Sequence, residues 1–129
     1  MMLKIFVQYN LADLAAQLTG LAYEVERCSE AMVFNDLEEH LIHGDIVFWD
    51  HIPESGFYGS KAKIIVTTAK ISATEEHDAA KAGALAYIAS DISDAMLKHV
   101  IVSVSKGELW MTRDTIATLF DEFVKSKES

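Results

Sequence analysis

An acidic side chain follows directly after a continuous apolar run. Asp50 comes after Ile46–Trp49, a run that is apolar at every position. A carboxylate at the end of an apolar strand can accept a phosphoryl group or bind a hard cation such as Mg²⁺ through oxygen. An ordinary loop aspartate that caps the next turn gives the same pattern. Asp50 is therefore a candidate phosphoacceptor, and the turn-capping alternative stays open.

Two hydroxyl side chains follow a second apolar run. Thr67 and Thr68 come directly after Ile64–Val66. A hydroxyl at this position can respond to charge at Asp50 by forming a hydrogen bond. Threonine is also a common strand residue on propensity alone, so a purely structural role is the alternative.

Histidines offer a weaker signal for a metal site. His40 and His43 are three residues apart near the end of a predicted helix, but positive character is also favoured there by the helix dipole. His51 has no second ligand at a suitable spacing and is predicted to lie on the surface. The sequence also lacks nucleotide-loop, zinc-protease and nucleophile-elbow motifs, so we expect no catalytic residues, no firm metal site and no enzyme.

Short β-rich runs alternate with helical patterns along the chain. The helical patterns include a capping box, Ser72 with Glu75, and a helix that begins at Ser93 and ends at Gly107. Between His51 and Ser60, one proline and two glycines favour a short or irregular segment. The predicted strands are Leu3–Val7, Ala22–Cys28, Ile46–Trp49, Ile64–Val66 and Ala84–Ile88. This alternation predicts an α/β fold with a parallel sheet covered by helices on both faces, and places functional groups at the carboxyl ends of the strands.

Composition narrows the functional classes. The net charge of −9 argues against direct nucleic-acid binding, and an acidic surface indicates solubility or, as the alternative, an acidic docking patch. Cys28, the one cysteine, excludes an internal disulfide and suits a reducing cytoplasm. The apolar runs are too short to cross a bilayer, and no signal peptide is visible, so we expect a cytoplasmic protein without membrane contact.

Three segments carry a resemblance to a known family. Gly44–Pro53, Ile64–Ala69 and Ala82–Ser93 resemble the third, fourth and fifth strand regions of response-regulator receiver domains of the LuxR/NarL family. The resemblance implies a flavodoxin-like (CheY-like) three-layer fold with a five-stranded parallel sheet in the order 2-1-3-4-5, here with an extra sixth helix. It places the phosphoacceptor on Asp50, the switch hydroxyl on Thr68 and the signalling aromatic on Tyr87.

The departures from the family pattern concern its charged groups. Gln8 and Tyr9 stand where the family has the acid pair that holds Mg²⁺, and Ser90 stands where it has a lysine. Pro53 is three residues after Asp50 instead of four, which leaves a register with Trp49 as the alternative. Because phosphoryl transfer depends on metal and cation, these losses imply an atypical receiver that works without phosphorylation, with Mg²⁺ doubtful.

A further motif precedes the last helical pattern. Trp110-Met111-Thr112-Arg113 is similar to a W-[FLM]-[ST]-R motif of VpsT-type regulators, which bind cyclic di-GMP. Arg113 could stack on guanine or pair with phosphate, and Thr112 could donate to phosphate. In the alternative, Trp110 packs under the helix, Thr112 caps it and Arg113 is exposed.

Together these observations predict a receiver-like domain over residues 1–106, an additional helix over 107–125 and a polar tail over 126–129. The predicted function is a signalling domain of a LuxR-type transcription regulator that switches by homodimerisation and by cyclic di-GMP. The alternatives are a working phosphoacceptor served by a histidine kinase and a flavodoxin-like cofactor-binding enzyme. DNA contact is expected only through a helix-turn-helix domain, which nothing in this sequence supplies.

Overall fold

The computed structural model describes residues 4–29, 34–39, 41, 45–57 and 60–128. Its strands form one parallel sheet in the order β2-β1-β3-β4-β5, as predicted. The strands are β1 (Lys4–Val7), β2 (Glu24–Arg27), β3 (Ile46–Trp49), β4 (Lys63–Thr68) and β5 (Ala86–Ala89). The direction of the strand order reverses between β1 and β3. The carboxyl ends of these two strands therefore mark the switch point, which is where parallel sheets usually bind ligands.

Burial along the strands follows their place in the sheet. All four residues of central β3 are buried, as its continuous apolar run predicts, whereas edge strand β2 is exposed except at Val25, which is half-buried. The predicted outer bounds of β2 and β5 shift by up to two residues, because a run of suitable residues does not specify where pairing starts.

Five helices are present among the described residues. They are α1 (Ala12–Gly20), α2 (Phe34–Glu38), α3 (Ala73–Lys81), α4 (Asp94–Ser105) and α5 (Arg113–Glu128). One core cluster joins α1 and α4 to one face of the sheet, and a second joins α2 and α3 to the other, which gives the predicted three layers. None of the helices in the described ranges is both long and apolar enough to cross a bilayer.

The ends of the helices show which capping residues of the sequence start or end a helix in the structure. Ser72 and Ser93 cap α3 and α4 through their side chains, and Gly107 follows α4 with a φ of 81°, as predicted. Gly20 is still helical, although glycine often follows the end of a helix, and the left-handed residue after α1 is Ala22, with a φ of 70°.

Two differences concern the helix count and the chain end. The described residues between β3 and β4 form turns and no helix, consistent with Pro53 and the glycines, so the additional C-terminal helix is the fifth and not the sixth. That helix runs to Glu128, three residues into the segment predicted as a polar tail. Lys and Glu are good helix formers, so polar composition alone does not end a helix there.

Candidate functional site

A cleft of about 640 Å³ opens at the carboxyl ends of the strands. Asp50, directly after β3, lines it, whereas Trp49 is completely buried in the core. The side chain that reaches the cleft is therefore Asp50, and the alternative register with Trp49 does not place an acid or any other polar group there.

The Asp50 carboxylate is held by two neighbours. His51 Nδ1 lies 2.7 Å from Oδ1, and Asn10 Nδ2 donates to Oδ2 at 3.1 Å. Burial by itself would raise the Asp50 pKa, but the hydrogen bonds from His51 and Asn10 outweigh it and hold the pKa below its ordinary value. The carboxylate stays ionised at neutral pH, with half of its acceptor sites already used.

A buried indole sets the orientation of His51. Trp49 Nε1 donates to His51 Nε2 at 3.4 Å, and an indole N–H can only donate. His51 Nε2 therefore acts as acceptor, which places the ring proton on Nδ1, facing Asp50. The surface position predicted for His51 is confirmed, but the ring is also a positioned partner of the acid.

The three predicted departures from the family pattern fall at the cleft or beside it. Gln8 is buried, and its Oε1 accepts from the Asp50 backbone N–H at 2.6 Å. Tyr9 is 42% exposed, and its backbone carbonyl accepts from Arg27. Ser90 follows β5 and lines the cleft. An amide, a phenol and a hydroxyl thus occupy the places that the resemblance assigns to two acids and a base.

The side chains of Gln8 and Tyr9 are poor ligands for Mg²⁺. The amide oxygen of Gln8 already accepts from the Asp50 N–H, and Tyr9 offers only a neutral phenol. Within the described ranges, no three His, Cys, Asp or Glu residues are grouped so that they could hold a metal ion.

The two threonines at the end of β4 differ in their surroundings. Thr68 Oγ1 donates to the Lys70 carbonyl at 3.0 Å and accepts from the Lys70 N–H, so it closes a local turn. Thr67 is completely buried, and its Oγ1 has no hydrogen-bond partner within the described part of the chain. Both residues line the cleft.

Tyr87, the predicted signalling aromatic, lies buried against α3. Its hydroxyl accepts from the Ser72 N–H at 3.0 Å and donates to Glu75 Oε1 at 2.5 Å. One half of the predicted capping box is present, because Ser72 Oγ accepts from the Glu75 N–H. In the other half, the Tyr87 hydroxyl lies between the Ser72 N–H and the Glu75 carboxylate, so Glu75 does not accept from Ser72 directly. Burial and the hydrogen bond to Glu75 both raise the Tyr87 pKa.

A second carboxylate holds the start of α5. Glu76 is buried and accepts hydrogen bonds from the Thr112 N–H at 3.1 Å, from Thr112 Oγ1 at 2.5 Å and from Thr115 Oγ1 at 2.5 Å. Burial tends to raise the Glu76 pKa, but these three bonds prevail and lower it. We call Glu76, Thr112 and Thr115 the α5 clasp. Sequence reasoning missed it, because Glu76 looks like any polar residue of α3.

In the Trp110–Arg113 motif, Thr112 caps α5 and Arg113 is exposed, as the structural alternative predicts, whereas Trp110 packs against His99 of α4 and not under α5. Trp110 is half-buried and forms a one-residue parallel bridge with Ala86, at the outer edge of β5. Thr112 Oγ1 accepts from the Thr115 N–H, as a cap does. Arg113 is exposed, and its guanidinium has no partner among the described residues. Glu76 occupies the helix start, where a phosphate would otherwise be favoured.

The apolar side of α5 faces solvent. Phe120 is 66% exposed, and Ile116 and Val124, one turn to either side, are also exposed. The side that packs on α3 instead carries Thr115 and Glu122, the latter paired with His77 and Lys81. Among the other apolar residues of α5, Leu119 is half-buried, and the Phe123 side chain lies outside the described residues. His40 and His43 lie outside them as well.

Comparison with known proteins identifies the fold. Similar structures include a response regulator receiver protein from Burkholderia phymatum, with a TM-score of 0.62, 18% identity and coverage of 85% of this chain and 99% of that chain. The signal receiver domain of the NarL response regulator from Mycobacterium tuberculosis has a TM-score of 0.61 and 13% identity, with coverage of 83% of this chain and 98% of that chain. A response regulator from Thermotoga maritima has a TM-score of 0.60 and 18% identity, with coverage of 82% of this chain and 99% of that chain. No family model and no curated protein match the sequence. The chain has the CheY-like receiver fold, and at these identities the likeness establishes the fold alone.

Proposed function

We propose that this chain is an atypical receiver domain of the LuxR/NarL type, which passes on a signal without phosphoryl transfer to Asp50. The receiver fold and the placement of Asp50, Thr68 and Tyr87 support a receiver role. The resemblance extends the proposal to a transcription regulator of the cytoplasm, whose DNA contact depends on a helix-turn-helix domain.

The observation that carries the proposal is the charge of the cleft. Among the described residues that line it there is no Lys or Arg, and Ser90 stands at the position of the missing lysine. A phosphoryl group in transfer spreads negative charge over its oxygens and needs cations to stabilise it. A cleft with acids and no cation repels that charge, so phosphorylation of Asp50 should be slower by orders of magnitude.

Intact-mass spectrometry after incubation with acetyl phosphate and Mg²⁺ tests this directly. We expect no added phosphoryl group on the wild type. Uptake of one phosphoryl group that disappears in Asp50→Asn would overturn the proposal in favour of the working phosphoacceptor, and only that alternative requires a histidine kinase as partner.

Homodimerisation through α5 is the second part of the proposal. The exposed side chains of Ile116, Phe120 and Val124 form a stripe at i, i+4 and i+8, with an aromatic between two branched aliphatic residues. A two-fold axis brings the same patch of two copies together, and covering this stripe in that way would remove apolar surface from water.

Sedimentation equilibrium measures the effect of one charge on the stripe. We expect a concentration-dependent dimer for the wild type and a monomer for Phe120→Asp. Thr118→Asp, on the opposite side of α5, is the control and should dimerise like the wild type. A wild-type monomer at all concentrations, or equal dimerisation of Phe120→Asp, would contradict this interface.

Cyclic di-GMP is a candidate ligand that would replace phosphorylation as the signal. The exposed Arg113 guanidinium, which has no partner among the described residues, is the observation that favours it. Because Glu76 holds Thr112, a phosphate would have to displace a carboxylate from the start of α5. Calorimetric titration should therefore give tighter binding to Glu76→Gln than to wild type and none to Arg113→Ala. No binding to either of the first two proteins would end the nucleotide hypothesis.

A further inference from the structure

Helix α5 is held on α3 by polar contacts. Among the described α5 side chains, only Thr115 is buried and only Leu119 is half-buried. Thr115 belongs to the α5 clasp, and two turns further on Glu122 pairs with His77 at 3.4 Å and with Lys81 at 3.2 Å. These ion pairs are partly exposed, where such pairs contribute little to stability. Water can therefore satisfy most of the groups that hold α5 when the helix leaves α3.

The segment before α5 is held in a different way. The Trp110 N–H donates to the Leu85 carbonyl at 2.8 Å, and the Trp110 carbonyl accepts from the Tyr87 N–H at 3.3 Å. The Trp110 side chain packs against the core cluster of α1 and α4, and Met111 packs against the cluster of α2 and α3. The chain is thus fastened by backbone bonds and apolar packing up to Met111, and by polar side-chain contacts beyond it.

The apolar residues of α5 give little resistance to its release. Ile116, Phe120 and Val124 are exposed while the helix is docked. The burial of an apolar face, which holds most helices on a protein core, is therefore weak between α5 and α3. Elements with few buried apolar contacts open locally before the rest of a protein unfolds.

We propose that α5 is a releasable arm, which leaves α3 as a unit by turning at Met111 and Thr112 while the sheet stays folded. Release frees the side of α5 that faces α3, so that Leu119 joins Ile116 and Phe120 at i, i+3 and i+4, the spacing of one helix face. The released helix then offers a second copy a wider apolar surface than the docked helix does. Release therefore regulates dimerisation, a step that rests on the α5 dimer of the proposed function.

Hydrogen exchange of the full chain, at a concentration where it sediments as a monomer, measures the release. A helix of this length is marginally stable alone in water, so its amides exchange once it leaves α3. We expect the α5 amides to share one opening constant and to exchange at least about a hundredfold faster than those of β3. The Trp110 amide should stay protected. Protection of α5 equal to that of β3, or loss of α5 and Trp110 protection together, would overturn the releasable arm.

A matched pair of variants connects the release to the α5 clasp. Thr115→Val removes a hydroxyl that donates to Glu76 and keeps the shape of the side chain, so α5 should exchange about tenfold faster while β3 is unchanged. Thr118→Val removes an exposed hydroxyl of the same helix, which donates to the Asp114 carbonyl, and should exchange like the wild type. Equal exchange of α5 in the two variants would contradict the α5 clasp as the fastening of the arm.

Sedimentation equilibrium of the same proteins tests the regulation. Thr115→Val should dimerise at least about ten times more tightly than the wild type, because more of it is in the released form, and Thr118→Val should match the wild type. Dimerisation of Thr115→Val no tighter than that of the wild type would overturn the regulation and leave the α5 interface standing. No dimer in any of the three proteins would contradict the proposed interface and the regulation with it, whereas hydrogen exchange decides the release independently.

Discussion

Two carboxylates, Asp50 and Glu76, show how differently this domain uses acidic side chains. Both have lowered pKa values, and both owe this to hydrogen bonds that outweigh burial. Asp50 lies on an open cleft, and one of its two partners is the exposed ring of His51. Glu76 is buried, and all three of its hydrogen bonds go to residues at the start of α5.

The contrast separates a group that is available to a ligand from one that holds the fold together. The residue that looked functional in the sequence, Asp50, contributes little to packing. The residue that looked ordinary, Glu76, fixes the position of the C-terminal helix and with it the Trp110–Arg113 motif.

Removal of the Glu76 carboxylate should have the largest effect. Glu76→Ala leaves two hydroxyls and one backbone N–H without their acceptor, and we expect a loss of about 3 kcal/mol in the free energy of unfolding. Urea denaturation measures the loss, and hydrogen exchange should show α5 losing protection before the sheet does. Asp78→Ala, exposed on the same helix, should be close to wild type; an equal loss in both variants would contradict the α5 clasp.

The hydroxyl of Tyr87 should matter about half as much. Tyr87→Phe removes the group that joins the Ser72 N–H to Glu75, and we expect a loss of about 1–2 kcal/mol in urea denaturation. The aromatic ring and its packing are retained, so the far-ultraviolet circular dichroism should not change. A variant as stable as the wild type would show that this bridge does not support the start of α3.

The Glu76 pKa predicts how the α5 clasp depends on pH. Because its folded pKa is lower than the unfolded value, the stabilisation is complete above the ordinary carboxyl pKa and is lost as the pH falls through the folded value. The gap in stability between wild type and Glu76→Gln should therefore close on acidification from pH 7. Urea midpoints across the acidic range measure it, and a gap that is constant with pH would be incompatible with an ionised Glu76.

Neutralisation of Asp50 should have the smallest effect on stability. Asp50→Asn keeps an acceptor for His51 and lies at a partly exposed site, so we expect a change below about 1 kcal/mol. A loss as large as that of Glu76→Ala would remove the distinction between the two carboxylates.

Local signals predicted much of the fold because they act over a few residues. The fully apolar Ile46–Trp49 is a buried central strand, and Ser72 and Ser93 cap the helices that follow them. The placement of Asp50 at the cleft follows from the same rule about strand ends. Capping and alternation depend on neighbours in the chain, so they can be read without tertiary information.

The candidate site was only partly predictable, because its contacts join distant residues. Asn10 reaches Asp50 over 40 positions, and Thr112 reaches Glu76 over 36. Helical spacing also shows which side chains of a helix are apolar but not which of them the core covers: in α5, Ile116 and Phe120 are exposed.

The sequence alone determined the order of strands and helices, the apolar core strands and the lack of the family's acid pair and lysine, since each depends on residue type and short spacing. Only the tertiary structure decided that Glu76 occupies the start of α5 and that Thr67 is buried with no hydrogen-bond partner for its hydroxyl among the described residues. These depend on how helices and strands pack against one another, and hydrogen bonds between residues far apart in the chain form only in that arrangement.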